Sequence, residues 1–95
     1  MEIQKSDIVM SLNGRDEGKF FFVVDIENEY ALLADGKGRR LEKPKNKKFK
    51  HLRFVAKRDC RAAMKIKNGE KVTDSELRRS LADFAAENSG EEGGM

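Results

Sequence analysis

The sequence predicts a mainly β fold, a small five-stranded barrel followed by two short C-terminal α-helices. Three observations predict it: short alternating or aromatic and β-branched runs crowd the first half of the chain, glycine-bearing turns separate them, and helical spacing takes over after Ala56. A chain of 95 residues has room for one domain. A domain of that size buries only about 60% of the surface its unfolded chain exposes, so a deep catalytic cleft is not expected. Charged residues make up 39% of the chain and apolar ones 38%. That is polar for a globular protein, but the apolar residues are clustered and periodic, which predicts a folded body.

Ile8, Met10 and Leu12 alternate with polar neighbours apart from Val9, the pattern of a half-buried first strand. Gly14-Arg15-Asp16-Glu17-Gly18-Lys19 is a charged loop with glycine near both ends, where positive φ or a bulge costs little. Residues 20–26 are aromatic and β-branched and predict a second strand. A polar turn at 27–29 leads to a third strand over 30–34. Asp35-Gly36 signals a tight type I′ hairpin, which places a fourth strand at 39–42, ended by Pro44. The fifth is expected over 49–55, where apolar residues fall on both faces and leave the register open. No helix-length segment separates these strands, which disfavours an α/β layout. Closure into a barrel would remove exposed edges.

Beyond Ala56, residues 59–67 predict a short helix with Cys60, Ala63, Met64 and Lys67 on one face, closed by Asn68-Gly69. Thr73-Asp74-Ser75-Glu76 is a capping box, and Val72 and Leu77 stand at the positions of a hydrophobic staple. Leu77, Leu81, Phe84 and Ala85 form an apolar stripe that docks either on the barrel or on a protein partner. The expected division is a barrel over 1–56, a helical extension over 57–88 and a glycine-rich, acidic, disordered tail over 89–95. Cys60 is the only cysteine, which leaves no internal disulfide and no thiolate cluster for zinc. No run nears the roughly 18 apolar residues that span a bilayer, and the opening Met1-Glu2-Ile3-Gln4-Lys5 lacks the apolar core of a secretory signal, so a cytoplasmic location is expected.

Charge is strongly segregated. Residues 1–38 carry four Lys/Arg against eight Asp/Glu (net −4), residues 39–65 twelve against two (net +10), and residues 66–95 four against seven (net −3). The complement of such a positive segment is a polyanion.

The strand from Asp7, the Gly14 to Lys19 loop and Phe22-Val23-Val24 resemble a KOW motif. Leu32-Leu33-Ala34-Asp35-Gly36, Arg40-Leu41-Glu42-Lys43-Pro44-Lys45 and Lys48-Phe49-Lys50-His51-Leu52 extend the likeness. Together they are similar to the fourteen-e group of archaeal and eukaryotic large-subunit ribosomal proteins and to short bacterial KOW-domain RNA-binding proteins. The resemblance covers residues 7–55 and implies an SH3-like barrel that contacts structured RNA, commonly ribosomal RNA, through loop backbone and basic side chains.

The residues expected to bind RNA are Arg15, Lys19, Arg39, Arg40, Lys43, Lys45, Lys47, Lys48, Lys50, His51 and Arg53. Tyr30 and Phe49 either stack on an unpaired base or belong to the core, and His51 is either a phosphate contact or a structural residue. The scarcity of aromatics points to recognition of backbone and shape. A single histidine, a single cysteine, no metal-ligand spacing and no Walker loop predict a protein that is not an enzyme and needs no cofactor. The alternative is an SH3-like adaptor that binds a protein of the transcription or translation machinery.

Overall fold

The computed structural model describes residues 3–93, with side chains described through residue 87. Five strands, β1 (Ile8–Ser11), β2 (Phe20–Glu27), β3 (Tyr30–Ala34), β4 (Lys45–Lys48) and β5 (Leu52–Ala56), form one antiparallel sheet in the order β4-β3-β2-β1-β5. Two helices follow, α1 (Arg61–Lys67) and α2 (Asp74–Gly93). The fold is therefore mainly β with two C-terminal helices, as expected, but the expected barrel is not closed. β4 and β5 remain the two edges of the sheet, joined only by a 3₁₀ turn at Phe49–His51.

β2 gives the sheet its curvature. Its register with β3 slips between Val23 and Asp25, which leaves Val24 as an extra residue. Such a bulge bends a strand and reverses the side-chain alternation beyond it. Phe21 and Val23 consequently share a core with Ile26, while Asp25 is turned out to solvent. A second slip, opposite Ile8 and Val9, makes Val55 the extra residue of β5.

The curled sheet is covered on both faces. Val9, Phe21, Val23, Ala31, Leu33 and Leu52 pack within the curl. Ile8, Phe22 and Ala34 point the other way and meet Ala62, Ala63 and Ile66 of α1 and Leu77 and Phe84 of α2. The Phe84 ring stands edge-on to Phe20 at 5.6 Å, with the Arg58 guanidinium 5.3 Å from its centroid. The apolar stripe of α2 thus docks on the sheet. Leu77 and Phe84, two of the three residues considered for a protein partner, are buried inside the chain, and Leu81 is half-buried against the same core.

The helix signals in the sequence are realised in detail. The Thr73 amide donates to Glu76 Oε1 at 2.9 Å and the Glu76 amide to Thr73 Oγ1 at 3.2 Å, a reciprocal capping box. α1 ends with the Gly69 amide bonded to the Ile66 carbonyl and the Glu70 amide to the Lys65 carbonyl, with Gly69 at φ +74°. That is the Schellman arrangement. The buried side of α1 is Ala62, Ala63 and Ile66, however, and Met64, expected on that side, is exposed. Cys60 is its half-buried N-cap residue. The last five residues of α2 as bounded above fall within the expected tail, where no side chain is described, and residues 94–95 lie outside the described residues.

Two expected strands are corrected. Residues 39–42 form no strand because other groups take their backbone donors. Asp35 Oδ1 accepts from the amides of Lys37 and Arg39, Asp74 Oδ1 accepts from Leu41, and the Lys43 amide closes a turn on Arg40. Asp35-Gly36 accordingly opens a long connection, and of the two only Gly36 has positive φ. The fourth strand is instead Lys45–Lys48, and the expected fifth begins only at Leu52 because Phe49–His51 coils into the 3₁₀ turn.

Candidate nucleic-acid interface

Antiparallel pairing places the end of β1, the start of β2, the end of β3 and the start of β4 at one end of the sheet. The 12–19 loop and the 35–44 connection therefore emerge side by side. Six of the expected cations, Arg15, Lys19, Arg39, Arg40, Lys43 and Lys45, stand on or directly beside these two segments. The 12–19 loop is held by backbone bonds from the Gly18 amide to the Ser11 carbonyl and from the Ser11 amide to the Lys19 carbonyl.

Lys47 is the support of this end. Its side chain is directed inward from β4, and the buried ammonium donates to Ser11 Oγ at 2.7 Å and to the Asn13 carbonyl at 2.8 Å. A buried cation is costly unless its donors are satisfied, and these acceptors satisfy two of the three. The contact ties the β4 edge to the end of β1 across the curl. His51 serves the same loop, with Nδ1 2.9 Å from Asn13 Nδ2 and its carbonyl accepting from the Leu12 amide. Both residues expected to touch RNA are thus engaged within the chain.

The remaining expected cations do not all join them. Lys48 lies over the Tyr30 ring at 5.8 Å and, with Lys50, lines a hollow beside Glu29 at the far end of β3. Arg53 projects from β5 into solvent. Tyr30 is partly exposed, whereas Phe49 packs against the core inside the curl.

Ion pairing separates the two basic stretches. Lys57 pairs with Asp7 at 3.2 Å, Arg58 with Glu87 at 3.0 Å, and Lys65 with Glu76 at 2.7 Å, with Arg61 3.9 Å from the same Glu76 carboxylate. Lys65 Nζ and the Thr73 amide hold the Glu76 carboxyl below its usual range, and the hydrogen bonds that Arg58 donates to the Glu87 carboxylate raise its guanidinium further. Of the expected RNA contacts only Arg39 and Lys45 meet a carboxylate, the largely buried Asp16, each at 3.7 Å. Among the described residues Arg15, Lys19, Arg40, Lys43, Lys48, Lys50 and Arg53 have no such partner.

Sequence reasoning missed Lys37 and Arg78. They line a cleft of about 450 Å³ with Lys19, where α2 crosses the two segments. Arg78 is fixed there by the Gly36 carbonyl at 2.6 Å and Ser75 Oγ at 3.1 Å. Lys37 belongs to the hairpin connection and carried a legible charge, but nothing in the spacing of Arg78 announces its place. A groove of about 920 Å³ opens elsewhere, beside Ile26, Phe49, Leu52 and Phe54, with Lys5, Lys67 and Asp25 also in its lining. Among the described residues no three His, Cys, Asp or Glu side chains gather as a metal site, and no helix is long and apolar enough to cross a membrane. Compared with protein-family models and with curated proteins, the chain matches none.

Proposed function

We propose that this chain is a non-catalytic RNA-binding protein of the KOW type, with an SH3-like sheet, that contacts structured ribosomal RNA or a ribosome-assembly intermediate. The observation that carries the reading is the uneven neutralisation of charge. Carboxylates take up the cations at 57, 58, 61 and 65, whereas of the six on the paired loops only Arg39 and Lys45 meet one, the shared Asp16. Free cations on two adjacent loops suit a phosphate backbone, which supplies much of the affinity in protein–nucleic acid complexes. The likeness of residues 7–55 to KOW proteins supports the same reading. Lys47 and His51 act in it by holding the 12–19 loop in shape.

Co-sedimentation with ribosomes before and after nuclease treatment tests the proposal, and migration should depend on RNA. If the six loop-end cations meet phosphates, log affinity should fall against log salt with a slope of about −4 to −5. Replacing the exposed Arg15, Arg40 and Lys43 by alanine should flatten that slope by about 2 to 3. A slope that does not change would remove the loop end from the mechanism. A second reading, an SH3-like adaptor for a protein of the transcription or translation machinery, is favoured by the apolar groove, whose lining carries two lysines against one aspartate. Partner binding that survives nuclease would support it.

A further inference from the structure

We propose that the cleft between the 12–19 loop, the 35–44 connection and α2 takes up one unpaired RNA base, with the adjoining phosphates on Lys19, Lys37 and Arg78. The inference rests on the RNA-binding reading and names the feature of the RNA that this site selects. The cleft, at about 450 Å³, falls within the size range of small-ligand sites, about 300–1,000 Å³. Phe20 and Leu81 contribute apolar surface, and the contact of Phe20 with Phe84 fixes that aromatic ring in place. Gly18 and Gly38 leave the walls open, since a Cβ at either would meet nothing within 4 Å. Three cations face one carboxylate, Asp35, whose Oδ1 is already engaged by two backbone amides. Its other oxygen is left to accept from an exocyclic base amine.

Apolar surface with a cationic rim and a single acceptor is the chemistry of a nucleotide. A paired duplex hides the faces of its bases in the stack, so the ligand is a bulged or looped-out base. Duplex backbone would still engage the remaining loop cations. Because α2 supplies one wall, the site depends on a part of the chain outside the resemblance.

The test uses the full chain and two RNA hairpins, one fully paired and one identical except for a single bulged 2-aminopurine. The bulged hairpin should bind roughly tenfold more tightly, the order of one stacked base. Ala82 and Gly38 both line the cleft, and Ala82→Leu and Gly38→Leu would each add bulk there. Each should abolish the preference, and the change in 2-aminopurine emission, while affinity for the paired hairpin is kept. Equal affinity of the unsubstituted protein for the two hairpins, or a preference that survives both substitutions, overturns the cleft and leaves the RNA-binding reading in place. Failure to bind either hairpin removes both.

Discussion

Gly36→Ala is the most informative single change in this molecule, because the Gly36 backbone lies directly against the first turn of α2. An alanine Cβ would overlap the Asp74 carbonyl oxygen and lie 3.0 Å from the Asp74 carbonyl carbon and 3.1 Å from the Arg78 nitrogen. All three are backbone atoms at the start of a helix and cannot rotate away. The residue also has φ +78°, which costs a non-glycine residue about 1–2 kcal/mol. Overpacking against fixed atoms adds about 1–3 kcal/mol, so the total loss is about 2–5 kcal/mol. Gly18→Ala is the control: φ is +84° but the added Cβ meets nothing within 4 Å, so only the conformational cost applies. For a small domain with a urea m-value of about 1–2 kcal/mol/M, Gly36→Ala should lower the unfolding midpoint about twice as far as Gly18→Ala or more. Equal midpoints for the two variants would refute the close approach of α2 to the hairpin.

Lys47→Met keeps the unbranched stem as far as Cε but removes the ammonium and its bonds to Ser11 and Asn13, and should cost about 2 kcal/mol in urea unfolding; unchanged stability would mean that the buried ammonium is no support. Leu77→Ala empties a fully buried position between α2 and the sheet and should cost about 2–5 kcal/mol, against a smaller loss for the half-buried Leu81→Ala measured the same way. Because the Glu76 carboxyl is held below its ordinary value of 4.5, its contribution is present above that pH and is lost as pH falls through the depressed folded value. Thermal unfolding from neutral pH downward should show this loss, and Glu76→Gln should remove that part of the acid dependence.

Much of the fold was legible because it rests on local rules. Alternation marked β1, aromatic and β-branched content marked β2, the polar turn at 27–29 marked the start of the short β3, and the box at Thr73 and Glu76 marked the start of α2. β4 was missed because it is Lys-Asn-Lys-Lys, with no apolar residue to reveal an inward face. Lys47 occupies that face with an ammonium whose acceptors are 34 and 36 residues away in sequence. Residues 39–42 misled for the opposite reason: they carry a plausible strand pattern, but Asp74, 33 residues beyond Leu41, captures a donor a ladder would need. Arg39, Arg40, Lys43 and Lys45 could be read directly from the charge run, and Arg15 and Lys19 from the glycine loop. The setting of Lys37 and Arg78 could not, since it depends on how α2 crosses the hairpin.

Phe21 and Phe22 are neighbours in the chain, yet each belongs to a different core, so β2 is a party wall between two compartments. Neither compartment is autonomous. A fragment ending at Ala56 would retain every strand but expose Ile8, Phe22 and Ala34, which the helices now roof over. The helical segment is in this sense masonry for the sheet, and a shortened chain would trade intramolecular cover for self-association.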